Sequence, residues 1–297
     1  MENKDSLEKF RLTRFAPTPS GYLHLGNIYS FIITYHLALK HQAKILLRID
    51  DMDRERVKKK FIHDIFDTLD FLEIPYHQGP KNHKDFKSQY SQRQRIDLYR
   101  SALERLKEKQ VLFACDCSRK KIEKMDPNGF YTGFCRNRHL DFKTKDVAWR
   151  MKVDRHHDVS YQNLYEGTTI GKIPGILADF IVKRKDGLPA YQLTSVVDDI
   201  HFGVDLVIRG KDLAGSTLAQ VYLADHLDKN SFSKNTFHHH PLIQGPDQQK
   251  LSKSSGATSI QFLRKSGKKK ENIFEMIGKW MGSPIPIRSL DEFSKLV

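Results

Sequence analysis

RFAPTPSGYLHLGN, Arg14 to Asn27, is the stretch on which the fold turns. RLTRFAP (residues 11–17) is apolar enough for a short buried strand, and it runs into a turn holding Pro17, Pro19, Gly21 and Gly26. NIYSFIITYHLALKHQ (27–42) follows with apolar residues at helical spacing. AKILLRIDD (43–51) is a second strand, of the near-continuous apolar type that is buried on both faces of a parallel sheet. Strand, glycine turn, helix, strand is one βαβ unit, and it predicts the opening of a doubly wound α/β sheet.

Working outward, IHDIFDTLDFLEI (62–74) is an amphipathic helix. The texture changes near Lys81, where a polar segment leads into a helical one, then a cysteine-bearing segment. VAWRMKVD (147–154) and DFIVKRKDGLPAYQLTSVVDDI (179–200) read as strands and hairpins. VDLVIRGKDLAGSTLAQVYLADHL (204–227) returns to strand, glycine turn and helix. The expected organisation is therefore a parallel sheet split by an α+β insertion. Residues 1–81 form its first half, 82–188 the insertion and 189–228 its second half. Residues 229–297 hold a lysine-bearing loop and a short helical C-terminal region.

The 297 residues are 39% hydrophobic, enough to build a sizeable core, so global disorder is excluded. The formal charge of +14 points to a polyanionic partner, with nucleic acid favoured over mere solubility. MENKDSLEKF carries charges and no apolar core of a signal peptide, and no apolar run approaches the ~20 residues of a membrane span. Three cysteines make no even disulfide framework. These features lead us to expect a soluble, cytoplasmic protein with no membrane partner.

Three motifs carry chemistry. The turn SGYLHLGN has neither a Walker ending nor GxGxxG spacing; it offers His24, a close backbone approach at Gly26 and a helix N-terminus near Asn27. Free amide donors and the helix dipole bind phosphate there, and an imidazole adds a donor as charge develops. KLSKS, Lys250 to Ser254, puts two ammonium groups on one loop, able to hold a triphosphate and follow charge onto pyrophosphate. Alone, the first is an ordinary glycine turn and the second a solvated basic loop; on either side of a split βαβ sheet they reinforce each other. The third motif is CDCSRKKIEKMDPNGFYTGFC, which contains all three cysteines, Cys115, Cys117 and Cys135. Three thiolates suit zinc, with a fourth donor to complete a tetrahedron; His139, four residues after Cys135, is one candidate. Three buried reduced thiols are the alternative. The run His238–His240 reads as structural.

In this order the motifs resemble those of class I aminoacyl-tRNA synthetases. HLGN is similar to their HIGH motif and KLSKS to KMSKS. RFAPTPSG looks like the RFAPSPTG of the glutamyl group, RIDDMDRE like its RIEDTDRE, and VIRGKDL like its VIRGEDH-type segment. The resemblance spans most of residues 11–255 and implies a Rossmann-type catalytic domain that binds ATP with Mg2+ and activates an amino acid. It implies catalytic roles for His24, Lys250 and Lys253, and an ATP site of His24, Gly26, Asn27, Lys250, Ser252 and Lys253. It implies a glutamate site of Arg14, Phe15, Ala16, Pro17, Thr18, Asp50, Tyr191 and Arg209, where arginine forks suit the two carboxylates and a carboxylate answers the ammonium. Among the departures from the pattern, Asn27 stands where HIGH has its second histidine, Thr18 replaces a serine, and Asp50 replaces a glutamate one methylene longer.

The glutamyl-queuosine tRNA(Asp) synthetase group resembles the chain further, since it carries the Cys-x-Cys…Tyr-x3-Cys set. That resemblance makes Cys115, Cys117, Tyr131 and Cys135 the expected Zn2+ ligands, with His139 left as a rival to Tyr131 for the fourth place. Only 43 residues follow Ser254, too few for a helical anticodon-binding domain, so a body that receives the anticodon loop of tRNA(Asp) is expected; a monomer is expected as well. The rivals are a glutamyl-tRNA synthetase body charging the tRNA 3′ end and a non-catalytic tRNA-binding paralogue.

Overall fold

The structure is a computed structural model that describes residues 8–53, 55, 57–227, 231–243 and 259–294. In chain order its elements are β1 (Leu12–Phe15), α1 (Leu25–Lys40), β2 (Lys44–Leu47), α2 (Lys59–Phe71) and the single turn α3 (His83–Asp85). Then come α4 (Ile96–Glu108), β3 (Leu112–Cys115), α5 (Arg119–Met125), β4 (Ala148–Met151), β5 (Val159–Asn163), β6 (Gly167–Gly171) and β7 (Ile181–Lys183). The last are α6 (Tyr191–Phe202), β8 (Leu206–Gly210), α7 (Ala214–Asp225), β9 (Thr236–His240), α8 (Ile260–Lys265), α9 (Lys270–Trp280) and α10 (Leu290–Ser294). They make a mixed α/β protein of two compact units. Among the described residues no helix is long and apolar enough to cross a membrane.

The first unit comprises residues 1–94, 206–211 and 239–297. In it β1 and β2 pair in parallel, from Leu12 opposite Lys44 to Phe15 opposite Leu47, with α1 as the crossover, so the expected βαβ unit is present. All four residues of β1 are buried, as a strand covered on both faces requires. α1 buries Leu25, Ile28, Phe31, Ile32, Ile33 and Leu37, an apolar surface wider than one face, because α9 and α10 pack on it as well as β1 and β2. Phe15 and Phe31 stack at 4.6 Å between ring centroids. Beyond β2 the chain returns at Gln78 to bridge Leu46 in parallel. The next residue has to be glycine: Gly79 has φ +106°, and a Cβ there would lie 2.3 Å from the Leu47 carbonyl oxygen.

The second unit comprises residues 95–205 and 212–238. It contains the antiparallel sheet β3–β4–β7 and the hairpin β5–β6, with β5 paired in parallel to the start of β9 at Thr236 and Phe237. One expectation fails here. The segment 179–200, read as strands and hairpins, forms only the short β7 before turning into α6. Its β-branched pairs favour a strand locally, but Leu193, Val196 and Val197 recur at helical spacing and are buried together, and burial overrides propensity. Gly203 ends the helix in the left-handed conformation, φ 72°.

α4 and α6 are tied by a buried ion pair. Arg95 grips Asp198 with two bonds, Nε to Oδ1 at 2.7 Å and Nη2 to Oδ2 at 3.2 Å, and the Tyr99 hydroxyl donates to Oδ1 at 2.6 Å. Burial works against the Arg95 charge, but the Asp198 carboxylate outweighs it and holds the guanidinium above its ordinary pKa. Asp198→Ala takes the carboxylate away and leaves that charge in the core; we expect a loss of about 3–5 kcal/mol, measured as a fall in the urea midpoint with an unchanged slope.

Candidate active site and cysteine cluster

The parallel pairing of β1 with β2 continues past both strands. Arg48 N donates to Phe15 O at 2.8 Å, and Asp50 N donates to Pro17 O at 3.0 Å. These bonds place Phe15, Ala16, Pro17 and Thr18 beside Asp50, so five of the residues expected to bind glutamate share one strand end. Arg14, buried on β1, donates from Nη1 to the Ile208 carbonyl on β8 at 3.1 Å. Arg209, the next residue of β8, is buried as well. Tyr191, expected in the same pocket, is exposed at the start of α6 and belongs to the second unit.

The Asp50 carboxylate is gripped by Arg48, Nε to Oδ1 at 2.8 Å and Nη2 to Oδ2 at 3.1 Å, with both side chains buried. The sequence reading missed Arg48, although the signal was there: residues two apart on an extended segment share a face. Arg48 thereby fixes the direction of the Asp50 carboxylate. Its neighbour Asp51 accepts from the Ser91 hydroxyl at 2.6 Å and from Gln92 N at 2.7 Å, and Gln92 Oε1 accepts from Met52 N at 2.9 Å. The loop after β2 is thus held by residues forty positions away that no local motif singles out.

His24 caps α1. Its backbone is extended, and its N–H donates to Oδ1 of Asn27 at 3.1 Å. Gly26 and Asn27 are half-buried in the first turn, where Asn27 N donates to His24 O at 2.8 Å. His24 also bridges Ser259 in antiparallel fashion, and Ile260 N donates to Leu23 O at 2.8 Å. Below, Asp64 of α2 accepts from Leu23 N at 3.3 Å and pairs with Arg264 of α8 at 3.3 Å; burial, only partly offset by these bonds, raises its pKa. Lys250, Ser252 and Lys253, with the rest of KLSKS, lie outside the described residues. His240 bonds the Ser30 hydroxyl at 3.0 Å and its imidazole meets Tyr29 edge-on, a structural role as expected.

In the second unit the three cysteines converge. Cys115 ends β3, Cys117 lies just beyond it and Cys135 follows a tight turn, all buried, with their sulfurs within 4.8 Å of one another. Cys117 Sγ and Cys135 Sγ are 3.6 Å apart. Thiolates at ~2.3 Å around a tetrahedral ion stand ~3.8 Å from one another, so the trio has the dimensions and softness that zinc takes. Tyr131 is buried against the cluster, and its hydroxyl accepts from Cys135 N at 2.9 Å. Burial, then hydrogen bonds with Cys115 and Cys135, push its pKa up. Burial and the neighbouring thiols push Cys117 up to about 12; burial works the same way at Cys115, but Tyr131 and Arg150 bring that thiol below its ordinary value. His139 is exposed and lines a separate cavity of about 470 Å³ with Leu140 and Phe142. The geometry therefore puts Tyr131, not His139, beside the sulfurs.

Residues 11–294 match the family model for tRNA synthetases class I (E and Q), catalytic domain. Glutamate–tRNA ligase 2 of Syntrophus aciditrophicus is 34% identical over 298 residues, which is 94% of this chain and 60% of the relative. Glutamyl-Q tRNA(Asp) synthetase of Acinetobacter baylyi is 34% identical over 253 residues, 85% of this chain and 80% of that protein. The crystal structure of a glutamate tRNA ligase from Elizabethkingia meningosepticum superposes with a TM-score of 0.77 at 23% identity, covering 97% of this chain and 64% of that one, which is a likeness of fold. The chain spans about 60% of the length of the glutamate–tRNA ligases it matches. A family match over nearly its full length, with relatives 34% identical over 85% of it or more, places this chain in the class I tRNA synthetase (E and Q) catalytic-domain family.

Proposed function

We propose that the chain activates L-glutamate with Mg2+-bound ATP and transfers the glutamyl group to the queuosine base in the anticodon loop of tRNA(Asp). The observation that carries the activation step is the strand end where Arg14 and Arg209 are buried on β1 and β8 and Arg48 orients Asp50, with His24 capping α1, the helix that follows β1. Buried guanidiniums suit a ligand with two carboxylates, and Asp50 suits its ammonium. The shorter side chain at Asp50 is met by Arg48, which holds it in one direction.

In the reaction the glutamate α-carboxylate attacks the α-phosphorus of ATP. A new P–O bond forms, the bond to the bridging oxygen breaks, and pyrophosphate leaves. His24, the first-turn amides at Gly26 and Asn27, and Lys250 and Lys253 stabilise charge as it moves onto the leaving group. No covalent bond to the protein is needed; positioning does the work. A hydroxyl of the acceptor then attacks the activated carbonyl, and AMP leaves with the bonding electrons. The backbone bridge from His24 to Ser259, five residues past Ser254, supports the reading that the KLSKS segment serves this same site.

The cysteine cluster favours the queuosine acceptor. Cys115, Cys117, Cys135 and Tyr131 would hold Zn2+, which supplies a structural cross-link to a segment with little core of its own. A relative named Glutamyl-Q tRNA(Asp) synthetase, covered to 80% of its length, supports it further. The second reading, glutamate placed on the tRNA 3′ end, is favoured by the matches named glutamate–tRNA ligase.

Three measurements test these statements. Lys253→Ala should slow adenylate formation about 10²–10³-fold, as loss of one preorganised donor does, in a glutamate-dependent ATP–pyrophosphate exchange assay; a wild-type rate removes Lys253 from the chemistry. Metal analysis of protein purified without chelator should return one zinc per chain. Tyr131→Phe should weaken retention of that zinc against a chelator, and His139→Ala should not. Finally, queuosine-bearing tRNA(Asp) should accept labelled glutamate even after removal of its 3′-terminal adenosine, and unmodified tRNA(Asp) should accept none. Glutamate on the 3′ end of tRNA(Glu) would establish the second reading instead.

A further inference from the structure

The cysteine segment carries more than thiols. Between Ser118 and Lys145 there are eight lysines and arginines against three acidic residues, so this tenth of the chain holds a disproportionate share of its positive charge. On α5, which Ser118 caps by accepting from Lys121 N, the side chains of Arg119, Lys120, Lys121 and Lys124 are all exposed. Within this field stands Phe134, 47% exposed. Exposed apolar side chains are common and by themselves mean nothing. Phe134 differs from Ile170 or Ile176, which are more exposed, in what surrounds it. The Lys121 ammonium lies 4.4 Å from its ring centroid, and the Arg138 guanidinium carbon lies 5.3 Å away.

The ring is also held firmly for a surface residue. Gly133, at φ +84°, makes the turn that sends residue 134 outward while residue 135 goes in, and an L side chain is strained at that angle. On one side of Phe134, Cys135 is buried in the thiol cluster. Arg136 anchors the same turn by gripping buried Asp179 and by donating to the Val153 carbonyl at 2.6 Å. Arg138 is fixed as well: its Nη1 donates to Asp116 Oδ1 at 2.7 Å and to Cys135 Sγ at 3.4 Å. A π-face on a rigid turn, ringed by cations, has the composition of a stacking platform for single-stranded nucleic acid. Stacking on an aromatic ring reads any base, and the cations meet the phosphates on either side.

We propose that Phe134, flanked by Lys121 and Arg138, stacks an unpaired base of the RNA acceptor, and that the cysteine cluster exists to hold this platform in place. The inference rests on the reading that the acceptor is RNA. A cation over an exposed ring is held weakly, so an incoming base displaces the Lys121 ammonium, which then takes a phosphate.

The test is binding of the full chain to a fluorescein-labelled single-stranded RNA of mixed sequence, followed by anisotropy, beside a duplex of the same length. Phe134→Ala should weaken single-strand binding about 5- to 100-fold, the range for loss of one stacked base, with little change for the duplex. The slope of log K against log salt should stay as in wild type. Lys121→Gln should instead flatten that slope by about 0.7. Phe134→Trp should keep the affinity and add tryptophan emission that RNA quenches, which also shows that position 134 tolerates replacement. Single-strand binding of Phe134→Ala within twofold of wild type, or an equal loss on duplex, overturns the proposal; the first result would reassign the patch to a protein partner. Glutamate-dependent pyrophosphate exchange by the wild-type protein is measured on the same preparation. Its absence overturns the activity reading alone, and indifference of RNA binding to Phe134 overturns this inference alone.

Discussion

Two backbone hydrogen bonds, Arg48 N to Phe15 O and Asp50 N to Pro17 O, are the constraint on which the candidate site depends. They extend the parallel register of β1 and β2 by one step after regular strand ends. Without them the turn from Ala16 to Leu23 and the loop from Asp50 to Asp53 would be two independent loops. With them, the stretch that follows the buried Arg14 lies beside an oriented carboxylate. The side chains then lock the arrangement: Arg48 holds Asp50, and Ser91 and Gln92 hold Asp51. A carboxylate buried here is tolerable only because each is answered by a guanidinium or by hydrogen-bond donors.

The second unit solves a different problem by different means. Its cysteine segment has one seven-residue helix and long irregular stretches, and its packing centres on Phe113, Tyr131 and the three sulfurs. A segment so short of apolar residues is stabilised where cross-links replace core. Around this cluster the polar groups are paired in a chain from Asp116 through Arg138 to Cys135, with Arg136 gripping Asp179 beside it. The same residues that fix the turn therefore orient its cations.

Much of this was legible in the sequence. The βαβ opening could be read because an all-apolar strand, a glycine turn and a helical repeat are local patterns, and local patterns survive in one dimension. The convergence of Cys115, Cys117 and Cys135 was legible because thiols at such spacing have few other uses. Arg48 was legible in principle, two residues before Asp50, and went unnoticed. The helix at Tyr191–Phe202 was misread because its valines and threonine favour strands locally, whereas the burial of Leu193, Val196 and Val197 along one face decided for a helix.

By itself, then, the sequence determined the element types from β1 to α2, the basic character of the chain and the chemistry available at His24, Asp50 and the cysteines. Only the tertiary structure decided which of these meet. Ser259 comes to His24, Ile208 to Arg14 and Gln92 to Met52 across separations of 235, 194 and 40 residues. Tyr131 rather than His139 sits with the sulfurs because Cys135 N needs an acceptor inside the turn and the phenol provides it, while the left-handed backbone at His139, φ 50°, accompanies an imidazole that stays in solvent. Spacing along a chain constrains what can be reached; burial and the pairing of polar groups choose among the candidates, and both are properties of the folded whole.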